Sequence, residues 1–452
     1  MEDFSLHERV QALLRKAVNE CQNCIQSSHT LAIYDTAWVS MIVKTVNNEP
    51  CWAFPESFQF ILEEQESDGG WNRSKISDDG ILNTLAALLA MKRHEKSTNV
   101  AVHTTDTDLP ARLSKATIYL EKKLQQWNVG ASVHVGFEIL VPTLLTMLEQ
   151  EQLIFEFPQK QTLMRLNAEK LRHCDPSMLY GNEKHTLLHS LEALIGKIDF
   201  DKIQHHKING SFMYSPSSTA AYLMSSSIWD HESETYIRNA ILHGRGQGNG
   251  GVPSVFPSNI FELTWVSNIP HALATIPNVK RLLNIGKGYV NPPSGRLHRR
   301  VFGPLQRERD RIIPREAFKC PRRPPWIRLV LSQNSAQQKS QELSVAPSVL
   351  ADVDDSARAV ITLNQLGRPT SPEKLLSFLK AKEAHLSTYH GGRDSSFSAN
   401  CNGLMAILHA PDRNKYLPHI ETITDFLCTS YLSGIVKDKW VRVYQGLSSQ
   451  KV

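Results

Sequence analysis

The chain lacks long apolar stretches, a dense cysteine framework and alternating strand patterns. Its longest apolar run, ILNTLAALLAM at 81–91, is too short and too polar to span a bilayer. The opening residues, MEDFSLHERVQALLRKAVNE, have no basic start followed by an apolar core, so they are not a secretory signal. They read instead as an amphipathic helix, with Phe4, Leu6, Val10, Leu13, Leu14 and Val18 on one side. A cytoplasmic protein with no membrane span is the default expectation. Seven cysteines scattered over 452 residues fit reduced thiols rather than a disulfide framework. Cys21 and Cys24 form a CxxC, but no second pair stands at zinc spacing, so no zinc site is expected.

Charge of one sign is scarce except in one place. The net charge is +5, yet fifteen Lys or Arg face only four acids between Lys280 and Glu342, so the remainder is net acidic. The same stretch is rich in proline and lacks periodicity, which favours an irregular segment over 277–346 rather than a packed domain. Aromatic interleaving and a known binding module are both missing there, so nucleic acid is not an expected partner. The length allows two or three domains.

What is present is helical periodicity from end to end, which makes the fold class all-α. LAIYDTAWVSMIVKT at 31–45 packs apolar and aromatic residues around Asp35, read as a satisfied polar group of the core. PESFQFILEEQESDGGWN at 55–72 reads as a helix that stops at Asp68-Gly69-Gly70, with Trp71 packing over its end. The order of helix, glycine turn, aromatic and helix returns at 191–226, where Asn209-Gly210-Ser211-Phe212 forms the turn. Two such units predict a repeating helical-hairpin architecture, of the kind found in toroids of paired helices. Glu138 is a lone acid in the apolar start of VHVGFEILVPTLLTMLEQE, where a surface position or a structural salt bridge is favoured over a cation site. Lys170 and His189 raise the same question on their own helices, and Asn249 lies in a glycine-rich turn.

The densest chemistry is Asp352-Val353-Asp354-Asp355 in LADVDDSARAVITLNQL. Val353, Ala357, Val360, Ile361 and Leu363 recur at roughly helical spacing, so the acids open an amphipathic helix. One reading is a helix start, with Asp352 as cap and carboxylates complementing the dipole. The other is chemical: three carboxyls within one turn repel, and a carboxyl kept protonated near neutrality can act as a general acid.

Together these stretches resemble the class II half of fungal bifunctional diterpene cyclases, of the copalyl diphosphate and kaurene synthase type. YDTAWVSMI, ILEEQESDGGW, GILNTLAALLAM, GFEILVPTLLTMLE, LLHSLEALIGKIDFD, GSFMYSPSSTAAYL, GNGGVPSVFP, ADVDDSARAV and VKDKW carry the resemblance, collinearly over 30–275 and 347–440. It implies two α/α barrel domains, γ and β, with residues 1–29 completing β, γ over 30–276, and an incomplete β over 347–452. It further implies geranylgeranyl diphosphate as substrate, cyclised to a copalyl-type diphosphate by protonation of its terminal alkene without loss of the diphosphate. On the matching positions, Asp354 is the implied proton donor, with Asp352 and Asp355 tuning it. His189 and Asn249 match the pair that holds a terminal water base in plant enzymes, Glu138 the residue associated with magnesium (Mg2+), and Lys170 and Lys439 lysines that neutralise the diphosphate.

Two departures stand beside the resemblance. The basic segment 277–346 replaces a short connection, and no DDxxD motif for ionising the diphosphate occurs, so class I chemistry is not expected of this chain. These departures leave a second expectation from a different class: an inactive remnant that pairs with other cyclase chains. A prenyltransferase-type toroid lacks its zinc ligands here.

Overall fold

The computed structural model describes residues 29–72, 77–97, 108–132, 136–172, 175–258, 351–365, 369–380, 384–389 and 395–433. The N-terminal amphipathic helix, Cys21, Cys24, the basic segment 277–346 and Lys439 lie outside them. The described residues fall into two compact units, 29–258 in one and 351–433 in the other. Both are mostly helical. No helix among them is long and apolar enough to cross a membrane.

In the first unit, α1 (Ile33–Ser40) is buried along its whole length. It is followed by a ribbon of β1 (Val43–Val46) and β2 (Glu49–Trp52), then by α2 (Pro55–Glu63) and α3 (Ser77–Lys96). Asn47 and Asn48 both take positive φ, 52° and 66°, the left-handed two-residue loop that matches strand twist. The apolar run in α3 is buried on every side from Leu85 to Met91, which makes α3 the central helix of the unit. Helices α4 (Leu109–Gln126) and α5 (Phe137–Gln150) pack on α3, and α6 (Lys160–Arg172) packs on α5. The unit closes with α7 (Pro216–Ser225), which returns to α1, and α8 (His231–His243).

Within α5, Pro142 has no N–H for the carbonyl four residues back, that of Glu138. Asn167 of α6 supplies the missing donor: its amide Nδ2 reaches Glu138 O at 2.7 Å. The kink-prone position is thereby tied to the neighbouring helix, and the backbone at Glu138 is fixed.

The two expected glycine turns are equivalent in the structure. Gly69 and Gly210 have φ of +92° and +77°, and a Cβ there would lie 2.4 Å from the Lys115 carbonyl oxygen and 2.3 Å from that of Glu232. Each turn thus presses its bare Cα onto the N-terminal half of a following helix. As expected, Trp71 packs over the end of α2: it is buried and its indole N–H donates to Ile61 O at 2.9 Å.

Three expectations need correction. The helix from Pro55 ends at Glu63, not at Asp68, because Glu66 and Gly69 turn back on themselves through Glu66 N–H to Gly70 O and Gly69 N–H to Glu66 O. The stretch from Leu191 to Ile203 is no α-helix but a chain of 3-10 turns, Leu191–Leu194 and Phe200–His206, broken by Gly196 at φ +75° and by the cap at Asp199. The chain also holds short strands where none were expected.

The second unit contains α9 (Val353–Gln365), a ribbon of β3 (Leu379–Lys380) and β4 (His385–Leu386), then α10 (Phe397–Leu408) and α11 (Leu417–Leu432). Its core joins Val353, Phe378, Leu386, Ala399, Ile407, Tyr416 and Ile423. Gly403 lets α10 approach β4, since a Cβ there would lie 2.3 Å from the Leu386 Cδ1. The turn at Gly210 supplies the sharper test of the fold. Gly210→Ala is expected to lower stability by about 2–3 kcal/mol through positive-φ strain and backbone overlap, read by thermal unfolding followed by circular dichroism.

Candidate active site

In the second unit the three aspartates gather at the start of α9. Asp352 accepts the Asp355 backbone N–H at 2.8 Å through Oδ1, while its own carbonyl takes the Ser356 N–H at 3.2 Å. This is an N-cap, so the helix-start reading of the motif holds in the geometry. Asp352 and Asp355 are buried and Asp354 is half-buried. Burial, and then the Asp355 charge, push the Asp352 carboxyl well above the ordinary carboxylate range. The chemical reading is therefore compatible with the cap: the dipole favours negative charge, yet desolvation and the neighbouring acid outweigh it.

Asp354 has a partner from another helix. The Asn402 amide of α10 donates to its Oδ1 at 2.6 Å. Asn400, two residues earlier on α10, accepts the Leu386 N–H at 2.8 Å and donates to Leu386 O at 2.9 Å, and so docks α10 onto β4. The strand's continuation reaches the same helix start, with Val353 N–H donating to Thr388 O at 3.0 Å. The next residue, Tyr389, is half-buried; burial, and then the charges of Asp352, Asp355 and Asp354, push its phenol upward, so it is a neutral hydrogen-bonding group beside the acids. Asn402 and Tyr389 are absent from the sequence-derived set. Two asparagines in the apolar helix SANCNGLMAIL are the signal for the first, since a buried amide needs partners.

The other expected residues that are described lie in the first unit. Glu138, in the first turn of α5, is buried and pairs with Lys170 of α6, Oε1 to Nζ at 3.7 Å. The structural salt bridge favoured for it is present, and the 3.7 Å separation exceeds a hydrogen bond. His185 sits close enough to Lys170 for that charge to help burial lower its pKa, and burial alone lowers Lys184 to about 8. His189 ends the turn Thr186–His189, is half-buried, and burial lowers its imidazole to about 4. Asn249 is exposed, and its Oδ1 accepts the Gly251 N–H at 3.1 Å, the work of a turn. No hydrogen bond among the described residues joins His189 to Asn249. Asp35 is a satisfied core polar group, as expected: it is buried and accepts the Ser217 N–H at 3.1 Å, while burial raises it to about 7.

A scan against models of protein families finds no match. Curated relatives do match. The chain is 40% identical over 419 residues to a phyllocladan-16-alpha-ol synthase of Phomopsis amygdali, covering 91% of this chain and 38% of that protein. It is 41% identical over 411 residues to a copalyl diphosphate synthase of Talaromyces verruculosus, covering 90% and 38%. The chain thus spans about two-fifths of the length of these relatives. Among solved structures it resembles the ent-copalyl diphosphate synthase of Streptomyces platensis, with a TM-score of 0.66 and 21% identity over 94% of this chain and 74% of that one. The fold is accordingly that of the α-helical terpene cyclases, and over the stretch shared with its relatives this chain is a homologue of the fungal diterpene cyclases.

Proposed function

We propose that the chain is a class II diterpene cyclase, which protonates the terminal alkene of geranylgeranyl diphosphate and closes a copalyl-type bicycle while keeping the diphosphate. The observation that carries this reading is Asp354 held by Asn402 beside two buried carboxyls on a single helical turn. An alkene is a very poor base, so its protonation needs an acid kept protonated in a dry site and a substrate folded against it.

Asn402 donates to Asp354 Oδ1, so its amide sets the orientation of the carboxyl proposed to carry the proton. In the step, the carboxyl O–H bond breaks and a C–H bond forms at the alkene, leaving a tertiary cation that the next alkene attacks. Asp352, pushed toward its neutral form by burial, keeps negative charge from accumulating around Asp354 before transfer. The final cation loses a proton on the base side, the role proposed for His189, whose low pKa keeps its imidazole unprotonated at neutral pH. Asn249 belongs to that role only if substrate or water draws its amide out of its own turn.

At the other end of the substrate, Lys170 and Lys439 are proposed to neutralise the diphosphate. Among the described residues no group of three or more possible ligands gathers, so no protein-built metal cage is formed there. A single buried carboxylate, Glu138, whose ion pair with Lys170 is long, fits a magnesium ion carried in by the diphosphate. Such an ion would supply charge neutralisation.

The purified chain, incubated with geranylgeranyl diphosphate and magnesium and then dephosphorylated, is expected to yield a bicyclic diterpene alcohol by mass spectrometry. Geranylgeraniol alone from a folded preparation would overturn the proposal. Asp354→Asn should lower turnover by at least about 10²-fold with the helical spectrum intact. Asn402→Ala removes the amide that orients the Asp354 carboxyl and should lower kcat by about 10–100-fold, an effect absent if Asn402 only packs. Because the acid works while protonated, activity should hold at lower pH and fall as pH rises through the cluster's highest pKa. Asp352→Asn should displace that alkaline limb, and an unmoved limb would remove Asp352 from the tuning role.

A further inference from the structure

Outside the acid cluster, the first unit carries a second buried carboxyl network. Glu192 is 1% exposed and both its oxygens are engaged. Oε1 accepts the Tyr34 hydroxyl at 2.8 Å, and Oε2 accepts the Ser218 hydroxyl at 3.2 Å. Ser218 Oγ also accepts the Leu191 backbone N–H at 3.3 Å, so one serine is bonded to two adjacent residues of the same turn. Tyr34 stands on α1, Ser218 in the first turn of α7, and Glu192 three residues past His189. Asp35, beside Tyr34, takes the Ser217 N–H, so two acids converge on the N-terminus of α7.

The chain around His189 needs such an anchor. Residues 186–206 run through short 3-10 turns, which share few backbone hydrogen bonds and cannot hold themselves rigid as an α-helix does. A buried charge is a poor source of net stability, but a fully satisfied polar network specifies one arrangement of the segments it joins. We propose that Glu192, with Tyr34 and Ser218, is a positioning clamp that fixes the His189 turn against α1 and α7. The role rests on the reading of His189 as a proton-accepting residue of the cyclisation. Glu192 itself acts through the turn and touches no reacting atom.

The test uses the full chain with isotope-labelled histidine, the His189 resonance being identified by its loss in His189→Asn. Tyr34→Phe and Ser218→Ala each remove one arm of the clamp while leaving the acid in place. With the turn loosened and water admitted, the His189 midpoint should climb from about 4 toward the ordinary value near 6.5 by about half a unit or more. In the same variants kcat for the cyclisation should fall about tenfold with KM within about twofold. If the His189 midpoint stays where it is in both variants, the network is structural only and the proposal is overturned, whatever happens to thermal stability. If the wild-type chain makes no bicyclic product, the cyclase reading fails while the histidine titration still decides the clamp. Glu192→Gln is a third arm; should it fail to fold, the other two variants decide.

Discussion

Burial without a cation is the constraint that shapes both units. Asp35, Glu192 and Asp352 are each enclosed by protein, and their hydrogen bonds come from neutral donors: the Ser217 N–H, the Tyr34 and Ser218 hydroxyls, and the Asp355 N–H. Neutral donors soften desolvation and do not abolish it, so burial raises Asp35 and Glu192 to about 7 and Asp352 well above its usual range. Glu234 shows the opposite regime in the same fold. Burial pushes it up too, but Lys44, Arg238 and the Trp229 indole all donate to it and bring it down to about 2. The difference lies in the partners, not in the residue type, and it separates acids that hold a proton from acids that hold a surface together.

Holding a proton is useful only where the acid is also held still. At the start of α9 this is achieved by side-chain amides. Asn402 fixes Asp354, and Asn400 ties α10 to the backbone of Leu386. Around Glu138 the same logic uses Asn167, whose amide replaces the donor that Pro142 lacks. In each case an amide orients a carboxyl-bearing segment, and at Glu138 the Lys170 cation stands beside it as well.

The sequence made the acidic helix and the two glycine turns readable, because each is a local pattern: a cluster of acids, a glycine before an aromatic. Trp71 over the end of α2 and Asp35 in the core follow from the same local reading. What escaped it was set at a distance. Asn402 meets Asp354 across 48 residues, and Tyr34 meets Glu192 across 158, so neither partnership leaves a trace in spacing. The helix expected from Leu191 failed for a different reason. Apolar periodicity does not distinguish an α-helix from successive 3-10 turns, and Gly196 with the Asp199 cap favours the turns.

Two histidines with the same lowered pKa show how function separates from packing. His94 lies between the Trp52 and Phe58 rings, at 3.7 and 3.6 Å between centroids, and its Nε2 meets Ser40 O at 2.9 Å. Every face of that imidazole is spent on the fold, and its Nδ1 is sealed away from any partner. His189 is neutral for the same reason, burial, yet it keeps accessible surface and makes no hydrogen bond among the described residues. Its hydrogen-bonding capacity is left unspent by the described residues. Low dielectric disfavours charge of either sign, so burial, helped at Asp352 by the Asp355 charge, favours the protonated carboxyl and the unprotonated imidazole alike. The cyclisation proposed above would begin by giving a proton to an alkene and end by taking one from a cation, and so would call on both of those states.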